Sequence, residues 1–182
     1  MRDELRRLYT PTRWVYGLSE ADLDDTVRLT SSVVERIQHS FEIEARQIRA
    51  DDPGMSDDIL DDVAYYLEID SDHLWHFCLW RLQAILEGMI VHTFLPDTDR
   101  RLAGLQQKLI AMRKAGYSLP RQAFDELVMW GRVRNALSHA PPEMFRPGPL
   151  RREDIDEYHA LAKRVCSVWR VELESRSLDS PL

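Results

Sequence analysis

Between Pro120 and Pro147 the chain reads PRQAFDELVMWGRVRNALSHAPPEMFRP. Phe124, Leu127, Val128 and Gly131 recur at three- and four-residue steps, the spacing of one face of an α-helix. Pro120 suits the first turn of that helix, where a missing N–H costs nothing. Continuing the same face brings up Asn135 and Ser138, so the apolar stripe turns polar just before Pro141 and Pro142 stop the helix. Arg134, Asn135 and His139 therefore stand on the last turns of a helix whose core-facing stripe runs into something polar.

On either side of this stretch the same period continues. Ser19 with Asp22 makes a capping-box-like start, with Asp in place of the usual Glu or Gln. A helix is predicted from there to about residue 50, with Leu23, Val27, Leu29, Val33, Val34, Ile37, Phe41, Ile43 and Ile48 as its apolar positions. Asp51-Asp52-Pro53-Gly54 breaks it. Ser56 is a candidate cap for the next helix, which starts acidic, as the macrodipole favours, and carries Ile59, Leu60, Val63, Tyr66 and Leu67. Asp70-Ser71-Asp72 marks a break or kink, followed by the most apolar segment, Leu74 to Leu95, predicted as a central helix with little wetted surface. Pro96-Asp97-Thr98 ends it and begins a third helix, through Leu102, Leu105, Leu109, Ile110 and Met112 to a stop at Gly116. After the 120–139 helix and a proline-rich loop, a last helix spans about 152–175, with Ile155, Tyr158, Leu161, Val165, Val168, Trp169 and Leu173 facing the core.

The reading is thus all-α, a bundle of five helices in a single domain over 1–182. Residues 1–18 form an N-terminal arm whose Trp14 and Tyr16 pack on the bundle, and 176–182 form a flexible tail. With 182 residues, 44% apolar content and only seven Gly, the chain is long enough for a core without disulfides or metals. Cys78 and Cys166 lie in helical apolar patterns and read as reduced core thiols of a cytoplasmic protein. No apolar run follows Met-Arg-Asp-Glu, so no secretory leader is expected, and no segment approaches 18 uninterrupted apolar residues, so no membrane span is expected.

The net charge of −7 is unevenly spread. From Arg100 to Arg152 there are 11 Lys/Arg against Asp125, Glu126 and Glu143, a net +8, while the remainder carries −15. Such asymmetry points to a polyanion-facing surface. The alternative is that these cations only solvate the outer faces of their helices.

The Arg134-Asn135 pair with His139 five residues beyond the Arg resembles the HEPN superfamily, compact α-helical bundles. Its ribonuclease members carry an Arg, a polar residue directly after it, and a His four to six residues beyond the Arg. The architecture of most of the chain fits; in residues the likeness covers this segment only. It departs after His139, where Ala140-Pro141-Pro142 stands in place of the Gly or aromatic residue of many members. The resemblance implies a metal-independent endoribonuclease without a cofactor, of toxin or defence type, acting as a homodimer with a shared cleft. Its catalytic residues would be Arg134, Asn135 and His139, with Arg121, Arg132 and Arg146 as RNA contacts. A separately encoded antitoxin or regulatory protein would be its partner.

The chemistry follows from the residue types. RNA carries its own nucleophile, the 2′-hydroxyl, so no metal is strictly required. His139 would take that proton or protonate the leaving oxygen, and Arg134 would offer a planar fork to the phosphate. Asn135 would orient the His or the phosphate. The products would be a 2′,3′-cyclic phosphate and a 5′-hydroxyl. The surrounding arginines favour neutral His139, whereas a helix C-terminus favours its charged form. A five-residue step on a regular helix turns about 140°, so Arg134 and His139 share no face of one helix. A long side chain, the helix end, or the His of a second copy across a two-fold axis would close that gap, and the resemblance implies the last.

Other constellations are weaker. Asp72-His73-x-x-His76, with His92 or Asp70, has metal-ligand spacing, but the neighbouring Trp75, Phe77 and Trp80 favour histidines at the edge of the bundle. His159 and Arg152 read as surface positions, and the Trp residues as core. No Gly-rich phosphate loop, Gly-x-Ser-x-Gly, Glu-x-x-His or CxxC pair occurs. The rival function is a non-catalytic helical dimerisation module that binds a protein or a nucleotide.

Overall fold

The computed structural model describes residues 18–51, 53–96, 102–139 and 148–179. They form five α-helices: α1 (Glu20–Asp51), α2 (Ser56–Met89), α3 (Gly104–Lys114), α4 (Arg121–His139) and α5 (Arg152–Asp179). A π-helical segment, Ile90–Phe94, closes α2. No strand occurs among the described residues, and none of their helices is long and apolar enough to cross a membrane. The all-α bundle read from the sequence is the architecture found.

Helix α2 is the axis of the bundle and touches α1, α4 and α5. Leu79, Leu82, Ile85, Leu86, Met89 and Ile90 are fully buried on it, and Gln83 is 3% exposed among them. Four residues of this helix separate the side chains that meet on one face, so Gln83 brings Glu87 alongside. At its end the Leu95 N–H bonds Ile90 O at 2.9 Å, the five-residue reach of a π turn. Phe94 then stands edge-on between Tyr117 and Trp169, at 5.8 and 5.6 Å between ring centres. Tyr117 donates its hydroxyl to Phe94 O (3.1 Å) and Trp169 its indole N–H to Ser118 O (2.8 Å), which ties α2, the α3–α4 turn and α5 together.

The caps follow the sequence in part. Ser19 N–H bonds Asp22 Oδ2 at 2.9 Å, Ser19 Oγ donates to the same oxygen, and Asp22 N–H bonds Ser19 Oγ at 3.3 Å, so Asp serves in the capping box. Gly116, at φ +80°, ends α3: its N–H bonds Arg113 O at 3.0 Å and that of Tyr117 bonds Met112 O at 3.0 Å. Those two bonds are a Schellman cap, whose left-handed residue is the reason for glycine here. Pro120 lies one position before α4 and accepts the Phe124 N–H at 3.0 Å.

Several expectations are corrected. The chain does not break at Asp70-Ser71-Asp72, because α2 runs through it. Asp72 is instead engaged by a tertiary contact, accepting the Leu150 N–H at 2.7 Å. Ser56 does not cap α2: Met55 holds the cap position without a side-chain bond, and Ser56 Oγ reaches back to Pro53 O at 3.4 Å. The third helix starts at Gly104, so Leu102 precedes it. Leu29, Ile43, Ile59, Tyr66 and Phe77, which follow the apolar period of their helices, and Val168, expected in the core, are exposed. Phe77 turns outward because Trp75, Cys78, Leu79 and Leu82 already fill the inner side of α2, two residues being about 200° away on a helix. Helix α5 continues to Asp179, past the expected tail start at Arg176. Arg176 donates to Ala115 O and Gly116 O (2.9 and 2.7 Å) and lies 4.1 Å from the centre of the Tyr117 ring. Trp14 and Tyr16 of the arm, with Pro141, Pro142 and Pro147, lie outside the described residues.

Candidate functional site

Helix α4 carries the motif to the edge of a cleft. Leu127 and Trp130 anchor its inner side, and Gly131 lies beside Leu105 of α3 and Gln83 of α2. Beyond them Val133 and Leu137 still pack against the core, while Arg132 and Asn135 are exposed and Arg134 and Ser138 half-buried, so the face that continues the packed stripe turns polar at Asn135 and Ser138. Arg134 Nη1 donates to Asn135 Oδ1 at 3.1 Å. Its Nε is buried and has no hydrogen-bond partner among the described residues. Ser138 Oγ is spent on Arg134 O at 2.9 Å, four residues back on the same helix. Arg132 is exposed and makes no ion pair among the described residues.

The cleft measures ≈ 500 Å³ and is lined, among others, by Gln83, Glu87, Gly131, Arg132, Arg134 and Asn135. Its inner wall belongs to α2. Gln83 Nε2 donates to Glu87 Oε1 at 3.0 Å, and Lys108 of α3 pairs with Glu87 Oε2. Gln83 Oε1 is buried and has no partner among the described residues. The wholly buried Tyr158 hydroxyl lies near the same carboxylate: burial drives its pKa far up, and the Glu87 charge adds to the rise. A packed, low-dielectric wall therefore faces a rim that is cationic and wet. Such a boundary strengthens any polar contact made to a ligand across it.

The predicted residues are only partly brought together. Arg134 and Asn135 meet by direct hydrogen bond, and Arg132 shares their cleft. Helix α4 stays helical through His139, so the backbone positions of Arg134 and His139 differ by about 140° around its axis. Asn135 and His139 are four apart and share a face. Arg121 sits at the other end of α4, about 20 Å along the axis, beside Asp125 at 3.6 Å. It is thus remote from the cleft. Arg146 lies outside the described residues. The sequence reading missed Gln83, Glu87 and Lys108. The signal was there: a Gln and a Glu four residues apart inside the most apolar helix.

The other candidates have resolved roles. His76 Nε2 lies 3.1 Å from Asp72 Oδ1, an ion-pair contact out of line for a hydrogen bond. Burial first, then the His73 charge, lower the His76 pKa, against the opposing pull of Asp72. Among the described residues no three His, Cys, Asp or Glu side chains converge as metal ligands. His159 is not a free surface residue: it lies 2.8 Å from Asp24 Oδ1, which also accepts from Lys163 at 2.7 Å. Trp75, Trp130 and Trp169 are core, and Trp80 is half-buried. Both cysteines are free and buried; burial pushes Cys166 up to about 12 and Cys78 upward as well.

No family model, curated protein or solved structure matches the chain.

Proposed function

We propose that the chain is a metal-independent endoribonuclease of HEPN type, working as a homodimer in the cytoplasm. The observation that supports this most is Arg134: a guanidinium steered by Asn135, with its Nε buried and without a partner among the described residues, lining a cleft. A buried charged donor without an acceptor is costly to keep. A phosphate oxygen would satisfy it, and the planar fork suits the charge that grows on phosphorus during transfer.

In this reading His139 accepts the 2′-hydroxyl proton while the freed oxygen attacks phosphorus. The bond to the 5′-oxygen breaks, and a protonated imidazole supplies the proton that leaving group needs. The cyclic phosphate and 5′-hydroxyl account for every atom of the strand. Because Arg134 and His139 occupy different faces of α4, the two would meet across a two-fold axis, each site taking its arginine from one copy and its histidine from the other. Arg132 and Arg146 would hold flanking phosphates. A toxin or defence role, restrained by a separately encoded partner, agrees with such an activity.

The rival reading, a non-catalytic module that binds a nucleotide, is favoured by one feature. The inner wall of Gln83 and Glu87, with Lys108 paired to Glu87 behind it, suits holding a ligand rather than proton transfer. Incubation of the purified protein with total RNA in EDTA, beside His139→Ala, separates the two. Cleavage by the wild type alone supports the nuclease; intact RNA in both samples supports the module.

A further inference from the structure

We propose that the cleft between α2, α3 and α4 is a guanosine-phosphate subsite, in which Gln83 and Glu87 read the guanine and Arg134 with Arg132 holds its phosphate. This rests on the phosphate-binding role given to Arg134 above and adds the identity of the ligand.

Gln83 is 3% exposed, sits inside the most apolar helix and still lines the cleft. Its amide orientation is set by Glu87: an ionised carboxylate only accepts, so the NH₂ faces Glu87 Oε1 at 3.0 Å and the carbonyl is left over. That carbonyl has no partner among the described residues. Glu87 receives Gln83 on one oxygen and Lys108 on the other, and each carboxylate oxygen keeps a second lone pair. The wall residues thus carry hydrogen-bond acceptors with lone pairs to spare.

Guanine is the base whose Watson–Crick edge places two donors, N1–H and the 2-amino group, side by side. Adenine and cytosine set a ring-nitrogen lone pair beside their single amino group, and uracil flanks one N–H with two carbonyls. Against two acceptors those lone pairs repel, and a wrong base leaves buried groups unpaired, which is the strongest form of discrimination. Leu105 and Val128 offer apolar contact for the ring within the cleft. Its ≈ 500 Å³ is the size of small-molecule sites, about 300–1,000 Å³. At the rim, Arg134, whose buried Nε has no partner among the described residues, and Arg132 supply the cations that a phosphate needs.

Such a unit occurs in an RNA strand and as a free nucleotide, and calorimetric titration separates the two. The wild-type protein is titrated with GMP, AMP, CMP and UMP, and with 2′-O-methyl oligonucleotides that contain one guanine or none and resist cleavage. GMP is expected to bind at least tenfold more tightly than the other three. Glu87→Gln, which turns an acceptor into a donor, and Gln83→Leu are each expected to erase that preference. A guanine oligonucleotide that binds more tightly than GMP assigns the site to RNA; one that does not assigns it to the free nucleotide. Four nucleotides binding within threefold of one another, no binding at millimolar concentration, or a preference that survives both substitutions overturns the proposal. Should the variants fail to fold, the wild-type comparison still decides. GMP preference in a protein that cuts no RNA removes the nuclease reading alone, whereas cleavage without base preference removes this subsite alone.

Discussion

Arg134 donates to the side chain of its own neighbour, Asn135, at 3.1 Å, and so its fork is aimed by the chain it belongs to while its Nε has no partner among the described residues. Arg134→Lys keeps the charge and loses the fork. Cleavage is expected to fall about 10²–10³-fold, the usual cost of one oxyanion donor, while thermal stability changes by less than about 1 kcal/mol. Parallel melts and a cleavage assay check this. Wild-type cleavage by Arg134→Lys would move the activity away from this cleft.

The placement of Arg134 and His139 on different faces of α4 makes a second test possible. Neither Arg134→Lys nor His139→Ala is expected to cut RNA alone. Mixed and refolded in equal amounts, they should regain about a quarter of wild-type activity, because half the dimers are mixed and each of those has one of two composite sites intact. A mixture as inactive as its components places both residues of a site in one copy.

Arg176 closes α3 from a distance of 60 residues in sequence, bonding Ala115 O and Gly116 O and covering Tyr117. Arg176→Ala should lower stability by about 1 kcal/mol, a fall of about 2–4 °C in Tm for a chain of this size. Arg176→Lys should recover part of it, since one ammonium cannot span both carbonyls and the ring. A melt unchanged in Arg176→Ala would mean that the Schellman turn holds α3 unaided.

The Lys163 ammonium first, against the opposing effect of burial, and then His159 hold the Asp24 carboxyl below its ordinary range. A depressed folded-state pKa contributes stability above the unfolded value of about 3.9 and loses it as pH falls through the folded value. Asp24→Asn should therefore be less stable than wild type at neutral pH, with the difference closing below about pH 4. Urea titrations at pH 7, 5 and 3 measure it. Equal midpoints at pH 7 would show this exposed pair to be energetically idle.

Much of the bundle was written in short-range pattern. The three-to-four spacing of Leu23 and Val27, of Leu79, Leu82 and Leu86, and of Ile155, Tyr158 and Ala162 commits each segment to a helix with one buried side. Gly116 announced its own turn, because its left-handed backbone conformation is one that glycine adopts readily. The cations around Arg134 and the polar end of the α4 stripe were equally visible, since a helix turns a fixed angle per residue and so orders its faces from sequence alone.

What tertiary structure decided is which groups meet. Asp72 looked like a helix breaker until Leu150, 78 residues later, used its carboxylate. Phe77 and Tyr66 fit the apolar period of α2, yet no other element among the described residues covers them enough to bury them. Lys108 reaches Glu87 from another helix, and only that packing turns an unremarked Gln-Glu pair into the wall of a cleft. Local preference sets the elements because it acts between residues a few positions apart. The partners of a charge or an amide depend on how whole helices dock, and burial then makes each pairing, or its absence, count.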